Sequence, residues 1–375
     1  MKSKVDYKGI LDFYKGKRVL VTGNTGFKGS WLTFLLLSAG AEVAGYALKP
    51  NEELSLFSLV GIDKMPGLQQ VYGDIRDMEL LQGTFEDFKP EIVIHLAAQP
   101  IVRESYRDPV GTYSTNVMGT VNICEAVRHT GSVRSFLNVT TDKVYRNKEW
   151  EYGYRENDEL CGFDPYSNSK SCSELVTDSY RNSFFNDGRV AVSTARAGNV
   201  IGGGDFSVDR IVPDCVRAIA SGGTIQVRNP HSTRPYQHVL EPLFAYLMIA
   251  AGQYENRTLA GCYNVGPDDQ DCVTTGDLVE MVCMAWNALG KGKKLSWENK
   301  AEKNAPHEAN FLKLDCSKLK KTFGWQPRWH IEDAVRECVN WSRIWLNGGD
   351  DAALRNEMQR ESAVFIDGSK RWARD

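Results

Sequence analysis

The chain has 375 residues, a composition typical of globular proteins and a formal net charge of −3 at pH 7. That charge gives no electrostatic reason to expect a nucleic acid or an anionic membrane as a partner. No apolar run approaches the roughly 20 residues that a membrane span requires. The nine cysteines and six histidines show no metal-ligand spacing, so we expect reduced thiols, no metal site and a cytoplasmic location.

The first predicted unit is a buried strand over residues 17–22 that runs into a glycine-rich turn. An amphipathic helix follows, ending near Gly40, and then a second strand over residues 42–48. Glycines allow a tight turn and a close approach of the backbone to a pyrophosphate, while the helix N-terminus supplies N–H donors. We therefore predict a dinucleotide site at this turn, with contacts from Gly23, Thr25, Gly26, Phe27 and Gly29.

The second strand lacks one common feature of NAD sites. An Asp or Glu about 20 residues after the glycines often binds the ribose hydroxyls, but this strand ends at Leu48 and Lys49. A lysine can instead meet a 2′-phosphate. NAD is the predicted cofactor, and NADP stays open at this point.

The third predicted strand, residues 68–72, leads to two aspartates. Asp77 is placed to cap a helix over residues 78–88. Asp74, with Ile75 beside it, is then the candidate ligand for an adenine amino group.

A fourth strand is predicted over residues 92–98. The end of this strand carries Leu96, Ala97 and Ala98. The two alanines are small enough for a cofactor to lie close to the backbone. His95 lies in the middle of this strand, and we interpret it as a core histidine.

The remaining alternation predicts a helix from Pro109 to His129, a fifth strand before Thr140, a helix from Asp164 to about Phe185 and a sixth strand over residues 190–195. Strands that alternate with helices at this period indicate an α/β fold with a Rossmann-type, doubly wound parallel sheet. In such sheets ligands bind at the carboxyl ends of the strands, where all the candidate residues named so far would meet.

After residue 199 the alternation weakens, which predicts a smaller C-terminal α+β substrate-binding domain. The predicted division is a dinucleotide-binding domain over residues 1–199, to which residues 236–262 return, and a substrate-binding domain over residues 200–235 and 263–345. Residues 346–375 are predicted to be a polar tail, with a frayed helix and a disordered end.

Tyr166 and Lys170 are four residues apart at the start of the helix after Asp164, so they share one helix face. A nearby cation favours the phenolate form of a tyrosine. The pair is therefore a candidate general base for removing a proton from an alcohol. Residues 140–145, which follow the fifth strand, carry a hydroxyl, a carboxylate and an ammonium group that the fold can bring to the same place.

Together these motifs resemble the extended short-chain dehydrogenase/reductase family, and within it the nucleotide-sugar 4,6-dehydratases of the CDP-linked branch. The resemblance covers roughly residues 15–345 and is carried by the segments Thr22–Gly29, Ala97–Pro100, Tyr113–Thr120, Thr141–Lys143, Gly153–Asn157, Tyr166–Lys170, Arg196–Asp205, Asp209–Asp214 and Arg234–Pro242.

The resemblance implies tightly held NAD, with Tyr166 and Lys170 among its contacts. It also implies CDP-D-glucose as substrate and a role in deoxysugar biosynthesis for O-antigen or other polysaccharides. Tyr166, assisted by Lys170 and Thr141, would remove the C4 hydroxyl proton while hydride passes to NAD. A base would then remove the C5 hydrogen, and a protonated Asp142 would donate to the departing C6 hydroxyl. Hydride would finally return to C6.

The resemblance also implies a site for the substrate diphosphate, formed by Arg210, Arg234 and Asn199. His238 either touches the nucleotide or holds its own loop. Thymidine-linked relatives carry Glu at the position of Lys143, where it is the C5 base. Lys143 can do this only if its pKa is lowered, so the C5 base is left open.

Two other functions compete with this interpretation: a nucleotide-sugar 4-epimerase and a non-catalytic NAD-binding regulator. An epimerase needs no acid for C6, so Asp142 argues against it, and a regulator would leave the Thr, Asp, Tyr and Lys set idle. In this family the helices of residues 109–129 and 164–185 pack into a dimer, so the resemblance implies a homodimer or homotetramer.

Overall fold

The computed structural model of the chain describes residues 5–50, 54–290, 294–300 and 311–368. Its helices, numbered along the chain, are α1 (Tyr7–Tyr14), α2 (Phe27–Ser38), α3 (Leu56–Leu59), α4 (Met78–Phe88), α5 (Val102–Arg107), α6 (Pro109–Tyr113), α7 (Gly119–His129), α8 (Pro165–Phe184), α9 (Ile211–Ser221), α10 (Leu240–Glu255), α11 (Thr275–Ala288), α12 (Ser317–Phe323), α13 (Ile331–Leu346) and α14 (Asp351–Asp367). Its strands are β1 (Arg18–Thr22), β2 (Glu42–Ala47), β3 (Leu68–Tyr72), β4 (Ile92–His95), β5 (Ser135–Thr141), β6 (Ala191–Ala197), β7 (Val200–Ile201), β8 (Ile225–Val227), β9 (Thr233–Pro235), β10 (Gln237–His238), β11 (Cys262–Val265), β12 (Cys272–Thr274) and β13 (Trp297–Asn299).

Seven strands form one sheet in the order β11-β6-β5-β4-β1-β2-β3, and every neighbouring pair is parallel. The chain order reverses between β1 and β4, where Thr22 pairs with His95 at the carboxyl ends. A crevice at such a reversal is the usual ligand site of a doubly wound sheet. The predicted α/β fold with a Rossmann-type parallel sheet is confirmed.

Both faces of the sheet are covered, which explains why its strands are apolar at almost every position. Val19 and Val21 of β1 pack into the core layer beneath α1, α2 and α10, whereas Leu20 between them packs into the layer beneath α4, α7 and α8. Successive side chains of a strand point to opposite faces. An uninterrupted apolar run therefore satisfies two cores at once.

Two predicted helices position the site, and both begin where their capping residues predict. The helix after Asp108 runs through α6, a π-helical turn at Ser114–Met118, and α7. Asp164 accepts a hydrogen bond from the Ser167 amide at 2.9 Å and begins α8. Within the described ranges, no helix combines the length and the apolar character needed to cross a membrane.

The C-terminal part contains a third core, formed by α9, α11, α13 and β8. The division into two domains stays a prediction, and the sequence analysis missed β11. Cys262–Val265 pairs with β6 at the edge of the main sheet, so the predicted boundary after residue 262 falls inside a sheet strand. Four residues with a polar Asn264 among them give too short a pattern to identify a strand.

The helix predicted within the polar tail is present at residues 351–367 as α14, but the expectation that it would be frayed is wrong, because it packs against the core. Leu354, Met358 and Phe365 are buried in the first core layer, and Arg360 bridges Glu337 of α13 and Glu357. α14 is polar overall because only one stripe of its surface is apolar. That stripe packs against residues that are far away in the sequence. The last part of the predicted tail, residues 369–375, lies outside the described residues.

Candidate active site

The glycine turn after β1 passes so close to the exit of β4 that a side chain would not fit. Gly23 has φ +71°, and a Cβ placed on it would lie 2.7 Å from the Ala97 backbone nitrogen. A Cβ on Gly29 would lie 2.1 Å from the Gly23 carbonyl oxygen. The first turn of α2 therefore rests directly on the loop, and no side chain caps its free N–H groups. This cradle fits the pyrophosphate of a dinucleotide.

The other predicted cofactor residues meet at the same edge of the sheet. Thr25 donates to the Leu48 carbonyl oxygen at 2.9 Å. Asp74 follows β3, and its carboxylate accepts hydrogen bonds from Arg76, which hold the pKa of Asp74 below its usual value. Asp77 caps α4 through the Leu80 amide, as predicted. The contacts of Gly26, Phe27, Ile75, Leu96 and Ala98 with a cofactor stay predictions.

The interpretation of His95 as a core residue is confirmed. Its Nδ1 lies 2.7 Å from the Thr22 hydroxyl, and the ring is completely buried. Burial lowers the pKa of His95 to about 3, with a smaller contribution from the charge of Lys170. A histidine with this pKa is neutral near pH 7.

A cavity of about 750 Å³ opens between the carboxyl edge of the sheet and the C-terminal part. The predicted residues in its wall are Leu96, Ala98, Thr141, Asp142, Lys143, Tyr166, Lys170, Asn199, Arg210 and Arg234. Residues from β5, α8 and the segments before α9 and in β9 thus converge on one space. Its volume lies within the usual range for a small-molecule or cofactor site.

Tyr166 and Lys170 lie on the buried face of α8, as their spacing predicts. Burial lowers the pKa of Lys170 to about 8, and its Nζ donates to the Val139 carbonyl oxygen at 3.3 Å. Burial raises the pKa of Tyr166 to about 12, although a hydrogen bond with Thr141 opposes this. Desolvation of the phenolate outweighs the opposing effects of Thr141 and Arg210 on this pKa, and the role of the Tyr166–Lys170 pair as general base stays a prediction.

Asp142 has one carboxylate oxygen engaged and one free. Its Oδ1 accepts from the Thr141 hydroxyl at 2.9 Å and from Lys143 Nζ at 3.2 Å. Its Oδ2 has no hydrogen-bond partner among the described residues, and the side chain is 0% exposed. A Cβ on Gly198 would lie 3.0 Å from this oxygen. Such an atom in a cavity wall is placed to exchange a proton with a bound molecule.

Lys143 makes a second contact, donating from Nζ to Asn199 Oδ1 at 3.2 Å. Two of its three donor positions are therefore used to hold Asp142 and Asn199. In both contacts the amino group acts as the hydrogen-bond donor.

Lys28 is a further cation in the cavity wall to which the sequence reasoning gave no role. Burial lowers its pKa to about 7, with smaller contributions from the positive charges of Arg210 and Lys170. The only signal in the sequence was a lysine between Phe27 and Gly29, in a turn that the fold buries. The charges that act on Lys28 thus include the cations Arg210, Lys170 and Lys143 and the carboxylate of Asp142.

Two arginines of the cavity wall are available to an anion. Arg234 is buried, and among the described residues it donates only to the Thr233 carbonyl oxygen, at 3.4 Å. Neither Arg234 nor Arg210 pairs with a carboxylate in that part of the chain. Arg228, in contrast, is neutralised by Asp209 at 2.9 Å. A buried guanidinium without a counter-ion is costly unless a ligand supplies the negative charge.

His238 lies outside the cavity wall. Its Nε2 is 3.3 Å from Glu361 Oε2 of α14, with both side chains 0% exposed, and its ring lies between Trp31 and Trp329. The geometry therefore favours the alternative that His238 holds its loop over direct contact with a substrate.

Comparison with known proteins gives a consistent family. The family described as GDP-mannose 4,6 dehydratase matches residues 20–338. The chain is 47% identical over 345 residues to CDP-glucose 4,6-dehydratase of Salmonella typhimurium, which covers 90% of the chain and 94% of that protein. It is 24% identical to dTDP-glucose 4,6-dehydratase of Haemophilus influenzae, covering 86% and 97% of the two chains.

Solved structures agree with the observed fold. UDP-glucose 4-epimerase of Thermus thermophilus, in complex with NAD, matches with a TM-score of 0.73 and 26% identity over 87% of this chain and 99% of that one. dTDP-glucose 4,6-dehydratase of Bacillus anthracis, also in complex with NAD, matches with a TM-score of 0.73 and 22% identity over 88% and 97%. The second likeness supports the fold alone.

Proposed function

The chain belongs to the GDP-mannose 4,6 dehydratase family, and on that basis we propose that it converts CDP-D-glucose to CDP-4-keto-6-deoxy-D-glucose for deoxysugar biosynthesis. The identity of 47% to CDP-glucose 4,6-dehydratase supports the nucleotide and the reaction. The observation that carries the proposal is Asp142, a buried acid with a free oxygen in the same cavity as Tyr166 and Lys170. Its role as the C6 acid distinguishes dehydration from epimerisation.

NAD is the cofactor, held by the glycine cradle at the N-terminus of α2. When bound in its oxidised form, it supplies a hydride acceptor for the sugar C4, a positively charged ring and, after reduction, the hydride that C6 receives. The backbone N–H groups at the start of α2 would hold the pyrophosphate of the cofactor.

In the first step Tyr166 takes the proton from the C4 hydroxyl. It can do so only as phenolate, so its own proton must leave first. The Thr141 hydrogen bond and the charge of Arg210 favour that loss, whereas burial opposes it. The positively charged ring of the oxidised cofactor would add to the effects that favour this loss.

In the second step a base removes the C5 hydrogen, which the C4 ketone makes acidic, while Asp142 gives a proton to the C6 hydroxyl and water leaves. Asp142 lies between Thr141 and Lys143, which fix Oδ1 and leave Oδ2 to face the substrate. Lys143 is a candidate C5 base only if it first loses its proton and its contacts with Asp142 and Asn199.

The proposal is tested by mixing the full-length protein with CDP-D-glucose and NAD. We expect a 4-keto sugar, detected by the near-ultraviolet absorbance that such sugars develop in alkali, and loss of one water by mass spectrometry. Formation of CDP-galactose alone would establish an epimerase instead. No change in the sugar under any cofactor condition would favour a non-catalytic regulator.

We propose that Arg234 and Arg210 bind the substrate diphosphate, with Asn199 beside them. Replacing Arg234 with Ala should raise KM for CDP-D-glucose by about 10- to 100-fold, since a hydrogen bond to a charged group contributes about 1.5–3 kcal/mol. Steady-state kinetics would show kcat changing much less. Arg234→Lys should give an intermediate KM, because lysine keeps the charge but loses the bidentate geometry.

The surface variant Arg217→Ala provides the control for this measurement, since Arg217 pairs with Asp214 on the exposed side of α9. Its KM should equal that of the unaltered protein. An unchanged KM in Arg234→Ala would remove Arg234 from the diphosphate site.

We propose a cytoplasmic homodimer, or a homotetramer built from it, in which α6–α7 and α8 of two chains pack together. These helices expose large apolar side chains, among them Val110 at 78% and Leu175 at 55%. Apolar groups exposed together on neighbouring helices mark an interface. Light scattering should give at least twice the chain mass, and Leu175→Glu should lower the measured mass. A monomer in the unaltered protein would refute the interface.

The cysteines support the cytoplasmic part of the proposal. All nine are free, as in a reducing compartment.

A further inference from the structure

A buried network lies behind the cavity, centred on Glu174 of α8. Glu174 is one helical turn beyond Lys170 and is 2% exposed. Its Oε1 accepts a hydrogen bond from the Thr140 hydroxyl. Its Oε2 accepts from the Thr194 hydroxyl at 2.7 Å and from Arg196 Nη2 at 2.8 Å. One carboxylate thus joins α8 to β5 and β6.

Arg196, itself 2% exposed, extends the network to the loop after β5. Its Nη1 donates to the Tyr145 hydroxyl at 2.8 Å and to the Glu156 carbonyl oxygen at 3.0 Å. The Tyr145 hydroxyl in turn donates to Asn264 Oδ1 of β11 at 2.6 Å. Each of these contacts joins segments that are far apart in the sequence.

The network contacts both ends of the segment that carries Asp142 and also the helix that carries Tyr166 and Lys170. Thr140 immediately precedes the segment Thr141–Lys143, and Tyr145 follows it, so the Glu174–Arg196 pair holds that segment at both ends. Glu174 itself belongs to the helix that carries the phenol and the ammonium. The two halves of the site therefore share one anchor.

We propose that Glu174 is a positioning residue for the dehydration: it fixes the acid-bearing segment against α8 and supplies the negative charge that keeps Lys170 protonated. Its catalytic consequences rest on the function proposed above. A purely structural role is the competing explanation, because a buried ion pair can hold two strands and a helix together without affecting the chemistry.

The pKa of Lys170 depends on the charged groups that surround it. Glu174 on the same helix raises the pKa of Lys170 against the larger effect of burial. Lys28 of α2 is a cation that interacts with Lys170, and His95 of β4 is neutral. Tyr166 is neutral until it loses its proton. Loss of the Glu174 charge should therefore let Lys170 deprotonate at lower pH.

The first experiment measures Lys170 directly and needs no turnover. Competitive amine labelling with acetic anhydride across a pH series, read by mass spectrometry of the Lys170 peptide, gives its pKa in the full chain. In Glu174→Gln we expect that pKa to fall by about one unit. An unchanged pKa would overturn the electrostatic part of the proposal.

Glu174→Gln leaves Arg196 buried without a counter-ion, which can destabilise the fold. A second variant, Glu174→Gln/Arg196→Met, removes both charges. Circular dichroism and thermal melting show which of the two variants is folded, and the pKa of Lys170 is measured in the folded variant. The matched control is Thr177→Val on the same buried face of α8, which loses a hydrogen bond from Asn138 but no charge. It should leave the pKa of Lys170 unchanged.

The second experiment follows ketosugar formation against pH. Lys170 supports the reaction as a cation, and that support is lost as the pH rises through its pKa. A lower pKa therefore moves the alkaline loss of kcat/KM to lower pH in the folded Glu174 variant, but not in Thr177→Val. An equal loss of rate at every pH would reduce Glu174 to a structural role. If the unaltered protein makes no ketosugar, the proposed function fails. The labelling experiment then still tests whether Glu174 raises the pKa of Lys170.

Discussion

Replacing Tyr166 with Phe should lower kcat for ketosugar formation by about 10³-fold, within the range that general acid–base catalysis contributes. The substitution removes one oxygen from a buried position in the cavity wall and leaves the ring that packs there. Without the phenol oxygen, the group that we propose to take the C4 hydroxyl proton is lost. Stopped-flow mixing with CDP-D-glucose should show that reduction of NAD, the first chemical step, has become slow.

The matched control for this prediction is Tyr246→Phe. The Tyr246 hydroxyl is also completely buried but has no hydrogen-bond partner within the described parts of the chain. Its loss should change kcat little. Binding of NAD should be retained in both variants, because the glycine cradle is unaltered and Tyr166→Phe keeps the aromatic ring beside the predicted cofactor site. Near-normal kcat in Tyr166→Phe would assign the C4 base to another group, and Lys28 would be the first to test.

Replacing Asp142 with Asn should separate oxidation from dehydration. The amide keeps the size of the side chain and its acceptor for the Thr141 hydroxyl, but it cannot donate a proton as an acid. We expect the elimination of water to slow by about 10³-fold, while oxidation at C4 continues. NADH should then accumulate on the protein after mixing with CDP-D-glucose, and the sugar recovered after quenching should retain its C6 oxygen.

Asp205→Asn is the control, since Asp205 lines the same cavity but uses its carboxylate to accept from the amide and hydroxyl of Ser207. It should form the ketosugar at close to the normal rate. If Asp142→Asn eliminates water normally, the acid for C6 lies elsewhere. If the variant fails to reduce NAD at all, Asp142 acts in the first step, and the assignment of its role must change.

These expectations depend on features that differ in how far the sequence alone could predict them. Apolar runs at strand length, glycines at 23, 26 and 29 and the spacing of Tyr166 and Lys170 are local patterns. Each depends only on residues within one or two turns of each other, because backbone geometry fixes which side chains share a face. The parallel sheet, the glycine cradle and the shared face of α8 followed from them.

Other features depend on groups that meet only after folding. β11 has a short and unremarkable sequence and becomes a strand because the edge of β6 is open to it. The apolar stripe of α14 is hidden in a polar segment until the core beneath it exists. The sequence is equally consistent with two roles for His238. Glu361, more than a hundred residues away in the chain, lies beside it and favours the role of holding its own loop.

The sequence by itself determined the fold class, the cofactor loop and which residue types could carry the chemistry, since these follow from local spacing. The tertiary structure decided the charge environment: the raised pKa of Tyr166, the lowered pKa values of Lys28 and Lys170, and the free oxygen of Asp142. Burial and the distances between charges are set by segments far apart in the chain, and no local pattern encodes them.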